Sequence, residues 1–358
     1  MRKFLFWLLP LFVFTQCKKT DETILPPSAM YFPPLGSASW ETVSPSTLGW
    51  NESELASLYT FLQQKNTKGF IILKNGRIAA ERYFGSFTVD SNWYWASAGK
   101  TATAFLVGIA QQEGKLHIDN KTSQYLGTGW TSLALAKENF ITIRHQLTMT
   151  TGLDDNVPES DCTQPSCLQY KADAGVRWSY HNAPYTLLEK IVETATGTTY
   201  NNYFQQKIKD RIGMNGLWLR PGFNNVYYST PRSMARFGLL LLNKGKWDET
   251  AILPDMDYVN NQINSSQNIN PSYGYLTWLN GKTSYMLPQV QTRFNGPLIP
   301  NAPADTYAAL GKNDQKIYVV PSQNLVVIRM GESAGNIQLA ASSFDNELWG
   351  KLRSVLKL

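Results

Sequence analysis

The two ends of the chain carry the clearest β-strand patterns, and a long helical region separates them. Near the start, residues 69–84 alternate as two strands around Asn75-Gly76, the strongest two-residue signal for a hairpin. Near the end, residues 316–330 form two apolar runs around a proline-containing turn. Strands this far apart, with helices between them, predict an α+β (α/β sandwich) fold. We expect one antiparallel sheet, built from both chain ends and flanked by helices.

The middle of the chain, from about residue 116 to residue 300, is mostly helix and loop by its pattern. We therefore expect one domain over residues 41–358 with an inserted helical region. Helices are predicted around 97–113, 143–149, 185–194, 200–209, 231–243 and 343–356.

Composition excludes several classes of protein. Of the 358 residues, 43% are hydrophobic and 17% are charged, as in an ordinary globular protein. The net charge is +6, but four basic residues cluster near the N-terminus, and no basic stripe interleaves with aromatic residues. Nucleic-acid binding is therefore not expected, while the oligomeric state stays open.

The N-terminus has the pattern of an export signal. Arg2 and Lys3 precede an apolar run that is too short to span a bilayer and that ends just before Cys17. A cysteine in this place resembles the end of a bacterial lipoprotein signal. Residues 1–17 are therefore predicted to be a signal ending at a lipidated Cys17, and residues 18–40 a solvated tether. We expect an exported lipoprotein anchored to a membrane, facing the periplasm or the cell surface.

Two further cysteines lie in the helical region. Cys162 and Cys167 have four residues between them, and in an exported protein they could close a small disulfide loop worth about 2 kcal/mol. The three histidines are scattered, with no ligand spacing. We expect neither a metal site nor a cofactor.

Ser97-Ala98-Gly99-Lys100 is the sharpest chemical motif. At a helix start, Lys100 lies one turn beyond Ser97 on the same face, so its amine can approach the hydroxyl. A hydroxyl needs a base to become a nucleophile, and a desolvated lysine can serve as that base. Alone, such a motif is common by chance.

A second motif, Tyr180-His181-Asn182, follows downstream. With Ser97 and Lys100 ahead of it, the chain resembles the serine β-lactamase and penicillin-binding protein superfamily. Within that superfamily it is most similar to the class C-like esterases and 6-aminohexanoate-dimer hydrolases. The resemblance covers roughly residues 69–349 and includes the turn Leu147 to Leu153.

The resemblance implies a role for each motif residue. Ser97 is the nucleophile, Lys100 and Tyr180 handle its proton, and Asn182 hydrogen-bonds Lys100 or the substrate. Which of Lys100 and Tyr180 is the resting base stays open. The fold implied is that of the serine β-lactamases.

The third motif of that superfamily, Lys-Thr-Gly or His-x-Gly, is altered. Its place is taken by Ala309-Leu310-Gly311, followed by Lys312. Gly311 suits a close backbone approach, and the backbone amides of Ser97 and Lys312 would form the oxyanion hole. Loss of the Lys-Thr-Gly side chains argues against an efficient β-lactamase.

Substrate contacts are expected from Gly311, Trp95 and His181, although Trp95 could equally pack in the core. The favoured function is a serine hydrolase that acts on an ester or small amide through an acyl-Ser97 intermediate, with an activity like that of an esterase or a 6-aminohexanoate-oligomer hydrolase. Two alternatives remain. One is a D-Ala-D-Ala carboxypeptidase or penicillin-binding protein acting on cell-wall peptides, and the other is a sensor lipoprotein that binds without turnover.

Overall fold

The computed structural model describes Met1, residues 29–336 and residues 339–358. The predicted signal after Met1, including Cys17, lies outside the described residues. Within the described part of the chain, no helix has the length and apolar character needed to cross a membrane.

A six-stranded antiparallel sheet forms the centre of the molecule. Its strand order is β2-β1-β13-β12-β11-β8, so strands from the two chain ends lie side by side, as predicted. The strands of this sheet are β1 Thr67–Lys74, β2 Arg77–Tyr83, β8 Trp278–Leu279, β11 Tyr307–Gly311, β12 Gln315–Val320 and β13 Leu325–Gly331. The shorter strands elsewhere are β3 Trp93–Tyr94, β4 Leu217–Leu219, β5 Val226–Ser229, β6 Lys246–Trp247, β7 Thr250–Ala251, β9 Ser284–Tyr285 and β10 Phe294–Asn295.

The hairpin at the start of the sheet follows from its turn residues. Asn75 and Gly76 both have positive φ, 49° and 78°, the conformation that a two-residue turn between twisted strands requires. Across the neighbouring pair, Ile71 of β1 lies opposite Ile328 of β13. Every residue of β13 is buried, as expected for a strand covered on both faces.

Helices cover both faces of the sheet. They are α1 Glu52–Gln64, α2 Gly99–Gln112, α3 Ser123–Leu126, α4 Leu135–Glu138, α5 Ile143–Leu147, α6 Asn182–Thr196, α7 Tyr200–Phe204, α8 Pro231–Leu242, α9 Met256–Gln262 and α10 Ser343–Leu356. Short 3-10 turns lie at Ala96–Ala98, Pro165–Cys167, Lys312–Asp314 and Pro321–Gln323, and a π-helical turn at Gln205–Lys209.

Two adjacent residues of β12 show the layering. A Cβ on Gly238 of α8 would lie 3.1 Å from Ile317, while the ring of Tyr318 packs 5.6 Å from that of Trp349 in α10. Successive strand residues point to opposite faces, so α8 and α10 lie on opposite sides of the sheet. The predicted α+β sandwich is confirmed.

The predicted tether is wrong from residue 29 onward, because this part of the segment packs on the domain. Trp40 is buried, and its indole N–H donates to the Gly76 carbonyl at 2.8 Å. Arg236, which is 5% exposed, donates to the carbonyls of Pro33 and Pro34 at 3.3 and 3.0 Å. A buried guanidinium needs acceptors, and this segment supplies them.

Candidate active site

Ser97 lies in a tight 3-10 turn that leads directly into α2. The residue before it, Ala96, has φ of 46°, a left-handed conformation that is uncommon without glycine. The Trp95 amide donates a hydrogen bond to the Tyr227 carbonyl at 2.8 Å, and this bond fixes the start of the turn. The predicted helix start at Ser97 is therefore confirmed to within two residues, with the serine at its entrance.

Lys100 lies on the first turn of α2 and faces Ser97. Its Nζ is hydrogen-bonded to Ser97 Oγ at 3.1 Å, and the residue is only 4% exposed. Burial lowers the pKa of Lys100 to about 7, and Asp161 partly opposes this effect. The amine also lies 4.1 Å from the centre of the Tyr185 ring. A large fraction of Lys100 is thus neutral near pH 7 and able to accept a proton.

Tyr180 reaches the same point from the segment before α6. The turn after α5 positions it, because the Ser179 amide donates to the Met149 carbonyl at 2.9 Å. Tyr180 lines the same cavity as Ser97 and Lys100, and Lys100 Nζ lies 5.3 Å from the centre of the Tyr180 ring. The ring stacks on Trp278 with 5.6 Å between centroids. Burial raises the pKa of Tyr180, and the nearby Ser97 hydroxyl partly lowers it. The phenol is therefore neutral at pH 7, and the predicted convergence of the three groups is observed.

Asn182 begins α6 beside this group, but its contacts differ from the expectation that it bonds Lys100. Its Nδ2 donates to Asp161 Oδ1 at 2.8 Å. The other oxygen of that carboxylate accepts from Asn224 Nδ2, also at 2.8 Å. Asn182 Oδ1 is buried and has no partner in the described part of the chain. The structure therefore joins Asn182 to an acidic residue, while a contact with substrate stays a prediction.

Gly311 ends β11 against the turn that carries Ser97. A Cβ at this position would lie 2.4 Å from the Trp95 carbonyl oxygen and 3.0 Å from the Ala98 amide nitrogen. No larger residue fits there without movement, so the expected close backbone approach is confirmed. Lys312, the next residue, lines the cavity in front of Ser97. An oxyanion hole formed by the Ser97 and Lys312 amides stays a prediction.

Of the two side chains predicted to contact substrate, Trp95 and His181, only His181 lines the cavity. Trp95 is fully buried, packs edge-on against Tyr227, and donates to Ser229 Oγ at 2.8 Å. The expectation that Trp95 contacts substrate is therefore wrong, because the turn at Ala96 directs its side chain into the core. His181 does line the cavity. Burial lowers its pKa, so the imidazole is neutral at pH 7.

An open cavity of about 630 Å³ lies in front of Ser97. Its lining includes the residues of both motifs and several loop residues, among them Ser97, Lys100, Tyr180, Asn182, Lys312, Ser160, Asp161 and Asn224. Cys162 and Cys167 form the disulfide proposed from the sequence. It closes a small loop immediately after Asp161.

Comparison with known proteins agrees with this geometry. A family model described as Beta-lactamase matches residues 61–348. The chain belongs to the Beta-lactamase family. It is 26% identical over 302 residues to an uncharacterized protein of Alkalihalophilus pseudofirmus, covering 74% of this chain and 83% of that one.

Two solved structures show the same fold. A putative β-lactamase from Bacteroides dorei has a TM-score of 0.68 at 16% identity, covering 86% of this chain and 100% of that one. A putative 6-aminohexanoate-dimer hydrolase from Bacillus anthracis has a TM-score of 0.67 at 18% identity, covering 90% and 89%. The serine β-lactamase-like fold is therefore confirmed, and the family supports a serine hydrolase in general.

Sequence reasoning missed Asp161, Asn224 and Tyr185, all of which line the cavity. Tyr185 lies one turn into α6, three residues after Asn182, so helical spacing from Asn182 was a usable signal. Asp161 was adjacent to a cysteine already singled out, but nothing local indicated that its carboxylate bonds Asn182.

Proposed function

We propose that this Beta-lactamase family protein hydrolyses an ester or small amide through a covalent acyl-Ser97 intermediate. One observation carries the proposal. The buried Lys100 amine lies 3.1 Å from Ser97 Oγ, and both residues line a cavity of about 630 Å³. A nucleophile paired with a desolvated base in a substrate-sized cleft is the arrangement that acyl transfer requires.

The proton path follows from the two pKa shifts. Neutral Lys100 takes the proton of Ser97 as Oγ attacks the substrate carbonyl carbon. The tetrahedral intermediate then expels the alcohol or amine, which takes up a proton delivered through Lys100 and Tyr180. Water attacks the acyl-enzyme in a second cycle, releasing the acid and restoring the Ser97 hydroxyl. Lys100, with its pKa of about 7, is the better base, because burial keeps the Tyr180 phenol protonated.

The oxyanion is proposed to bind at the backbone amides of Ser97 and Lys312. Gly311 supports this role because it brings the end of β11 against the Ser97 turn. One such donor contributes about 3 kcal/mol to the transition state.

An ester or small amide is favoured over a β-lactam by the altered third motif. Ala309-Leu310-Gly311 replaces Lys-Thr-Gly, so the usual side-chain anchor for a β-lactam carboxylate is missing from that stretch. Cell-wall peptide and non-turnover binding are the two competing outcomes.

Covalent labelling tests the proposal directly. A fluorophosphonate or labelled penicillin is expected to add to the wild-type protein and not to Ser97→Ala. Ser160→Ala is the matched control, because Ser160 also lines the cavity but lies outside the motifs. Labelling that persists in Ser97→Ala would remove the proposal.

Turnover assays separate the three functions. Hydrolysis of p-nitrophenyl acetate without release of D-alanine from a D-Ala-D-Ala peptide supports the ester or amide hydrolase. Efficient D-alanine release indicates the carboxypeptidase. Labelling without turnover of either substrate indicates the sensor.

We also infer that the protein is exported and anchored through Cys17. The apolar N-terminal run supports export, and so does the Cys162–Cys167 disulfide, since such bonds persist in oxidising compartments. Mass spectrometry of the mature N-terminus is expected to show an acylated Cys17, and Cys17→Ser is expected to abolish the modification. An unmodified, soluble wild-type form contradicts this inference.

A further inference from the structure

The turn that follows β11 has an unusual backbone conformation. It begins with Lys312, next to Gly311, which packs against the Ser97 turn. Asn313 and Asp314 then have φ of 59° and 60°, so two consecutive residues other than glycine lie in the left-handed region. Such residues persist only where the surrounding structure holds them. Lys312 lines the cavity, so this strained turn lies where an oxyanion donor is proposed.

Buried groups from the next two strands hold the backbone of this turn. Arg329 of β13 is fully buried, and its Nη1 donates to the carbonyl oxygens of Asn313 and Asp314 at 3.0 and 3.1 Å. Gln315 of β12 donates through Nε2 to the Asn313 carbonyl at 2.8 Å. The carbonyl groups of the turn are thus hydrogen-bonded in this conformation, as buried backbone groups require.

The side chain of Asp314 attaches the turn to a second part of the cavity lining. Its Oδ2 accepts from the Ala334 amide at 3.0 Å, and its Oδ1 accepts from Ser342 Oγ at 2.7 Å. These two partners flank Leu339 and Ala340 in the chain, both of which line the cavity. The carboxylate therefore joins the turn to this stretch.

Lys316 of β12 completes the buried cluster. Its Nζ lies 3.2 Å from Asp314 Oδ1 and 2.9 Å from Asp345 Oδ1, and it donates to the Ala340 carbonyl at 2.8 Å. Burial acts to raise the pKa of Asp314, but Lys316 and the hydrogen-bond donors outweigh burial and hold this pKa below its ordinary value. The Asp314 carboxylate is therefore ionised at pH 7.

Stability alone does not account for this cluster. Lys316 and Asp314 are 0% and 1% exposed. Buried ion pairs add little net stability relative to well-packed apolar side chains of similar size, because both ions lose their hydration. In some proteins such groups instead fix one conformation. Here they fix the turn with Lys312 and the stretch with Ala340, and both residues line the cavity.

We propose that Asp314 is a positioning residue, whose carboxylate fixes the left-handed turn and so orients the Lys312 amide toward the oxyanion of acyl transfer. The inference rests on the proposed function and adds a residue that acts through the Lys312 amide. A displaced oxyanion donor weakens binding of the transition state but not of the substrate. Loss of the carboxylate should therefore lower kcat by about tenfold or more, with KM nearly unchanged.

A pair of esters that differ in one atom reports on the oxyanion donors. The pair is 4-nitrophenyl benzoate and O-4-nitrophenyl thionobenzoate, in which sulfur replaces the carbonyl oxygen. Sulfur is a weak hydrogen-bond acceptor, so well-placed donors favour the oxygen ester. The measurement is the ratio of kcat/KM for the oxygen ester to that for the thionoester. A smaller fraction of folded protein lowers both rates equally and cancels in this ratio.

Asp314→Gly is the decisive variant, because it removes the carboxylate while glycine adopts the left-handed conformation at no steric cost. We expect the oxygen-to-sulfur ratio to fall about tenfold. Asp314→Asn keeps a residue that tolerates this conformation and one of the two side-chain hydrogen bonds, so its ratio should lie between those of wild type and Asp314→Gly. Asn324→Gly is the matched control. It replaces another left-handed residue, with φ of 44°, in the exposed turn between β12 and β13, and should leave the ratio unchanged.

A second variant keeps the test decisive if Asp314→Gly does not fold. Asp314→Glu retains the charge but lengthens the side chain, so it must displace the turn, and the same fall in the ratio is expected. A wild-type ratio in the folded variant, with only a lower melting temperature, overturns the proposal. Failure of the proposed function looks different, because Ser97→Ala would then retain turnover. A wild-type ratio equal to that for hydroxide-catalysed hydrolysis would show that no oxyanion donor acts at all.

Discussion

The two sides of the cavity are built in different ways. One side, which we name the catalytic wall, consists of Ser97, Lys100 and Tyr180. These residues lie at the entrance of α2 and in the segment before α6, and Gly311 of β11 packs against the Ser97 turn. The other, the loop wall, consists of Ser160, Asp161 and Asn224, which lie in loops. A disulfide closes the loop after Asp161. Residues on regular elements are placed by the packing of the whole domain, whereas the loop residues depend on a few local bonds.

We therefore expect the two walls to have different functions, catalysis for the catalytic wall and substrate preference for the loop wall. Changes on the catalytic wall should lower turnover of every substrate, because they affect groups that act on the reacting carbonyl. Changes on the loop wall should alter which substrates are preferred. The following variants test that division, in order of decreasing effect.

Lys100→Met should have the largest effect on the catalytic wall. The apolar chain fills much of the same volume but cannot accept the Ser97 proton, so kcat is expected to fall by about 10³- to 10⁴-fold for every ester. Steady-state kinetics on p-nitrophenyl acetate and a panel of other aryl esters checks this, and an unchanged melting temperature shows that the fold persists. A loss confined to some of the esters would contradict the division.

Gly311→Ala should have the next largest effect. The added methyl group would lie 2.4 Å from the Trp95 carbonyl oxygen, so β11 and the Ser97 turn must move apart. We expect about a 10²-fold loss of kcat, because displaced oxyanion donors cost this much. Gly335→Ala, at a glycine with open space around it, is the control. Wild-type kcat in Gly311→Ala would show that Lys312 supplies no oxyanion donor.

The pH dependence of kcat/KM is expected to depend on residues of both walls. Neutral Lys100 is the active form, so kcat/KM should rise with pH through about 7 and then level off. The charge of Asp161 raises the pKa of Lys100 against the larger effect of burial. Tyr180 and Tyr185, the other groups against the amine, stay neutral because burial raises the pKa of both.

Asp161→Asn should therefore move this rise to lower pH. Profiles for a neutral ester in both proteins measure the shift, with Glu159→Gln as the control. A rise that moves to higher pH would mean that Lys100 is not the titrating base.

Opening the Cys162–Cys167 disulfide should have the smallest effect. Replacing both cysteines by serine removes about 2 kcal/mol of stability on the loop-closure estimate and frees the segment that carries Asp161. The relative kcat/KM values across the panel of aryl esters are expected to change a few-fold, with kcat for p-nitrophenyl acetate nearly unchanged. Kinetics on the panel and thermal unfolding measure the two effects. An equal loss for every ester would place the loop in the catalytic machinery instead.

The same contrast explains what the sequence could predict. The hairpin at Asn75-Gly76, the apolar terminal strands and the spacing of Ser97 and Lys100 are local patterns, and each corresponds to a regular element in the structure. Tyr180 required the family resemblance, because only the tertiary fold brings it to Ser97.

The placement of the other site residues depends on contacts that no local sequence pattern encodes. Trp95 was misassigned because the left-handed conformation of Ala96 sends adjacent side chains in different directions. Asp161 gains its role from Asn182 and Asn224, which lie 21 and 63 residues away. Loop residues of this kind carry no periodicity, so their meeting point appears only in three dimensions.

Arg236 also sets a practical limit on how the protein can be shortened. Its guanidinium donates hydrogen bonds to the backbone carbonyls of Pro33, Pro34 and Ser37. Trp40 packs over it, with 5.3 Å between the guanidinium carbon and the ring centre. A recombinant form starting after Trp40 would strip a buried cation of these neighbours. A soluble version for crystallisation should therefore keep everything from Ala29 onward.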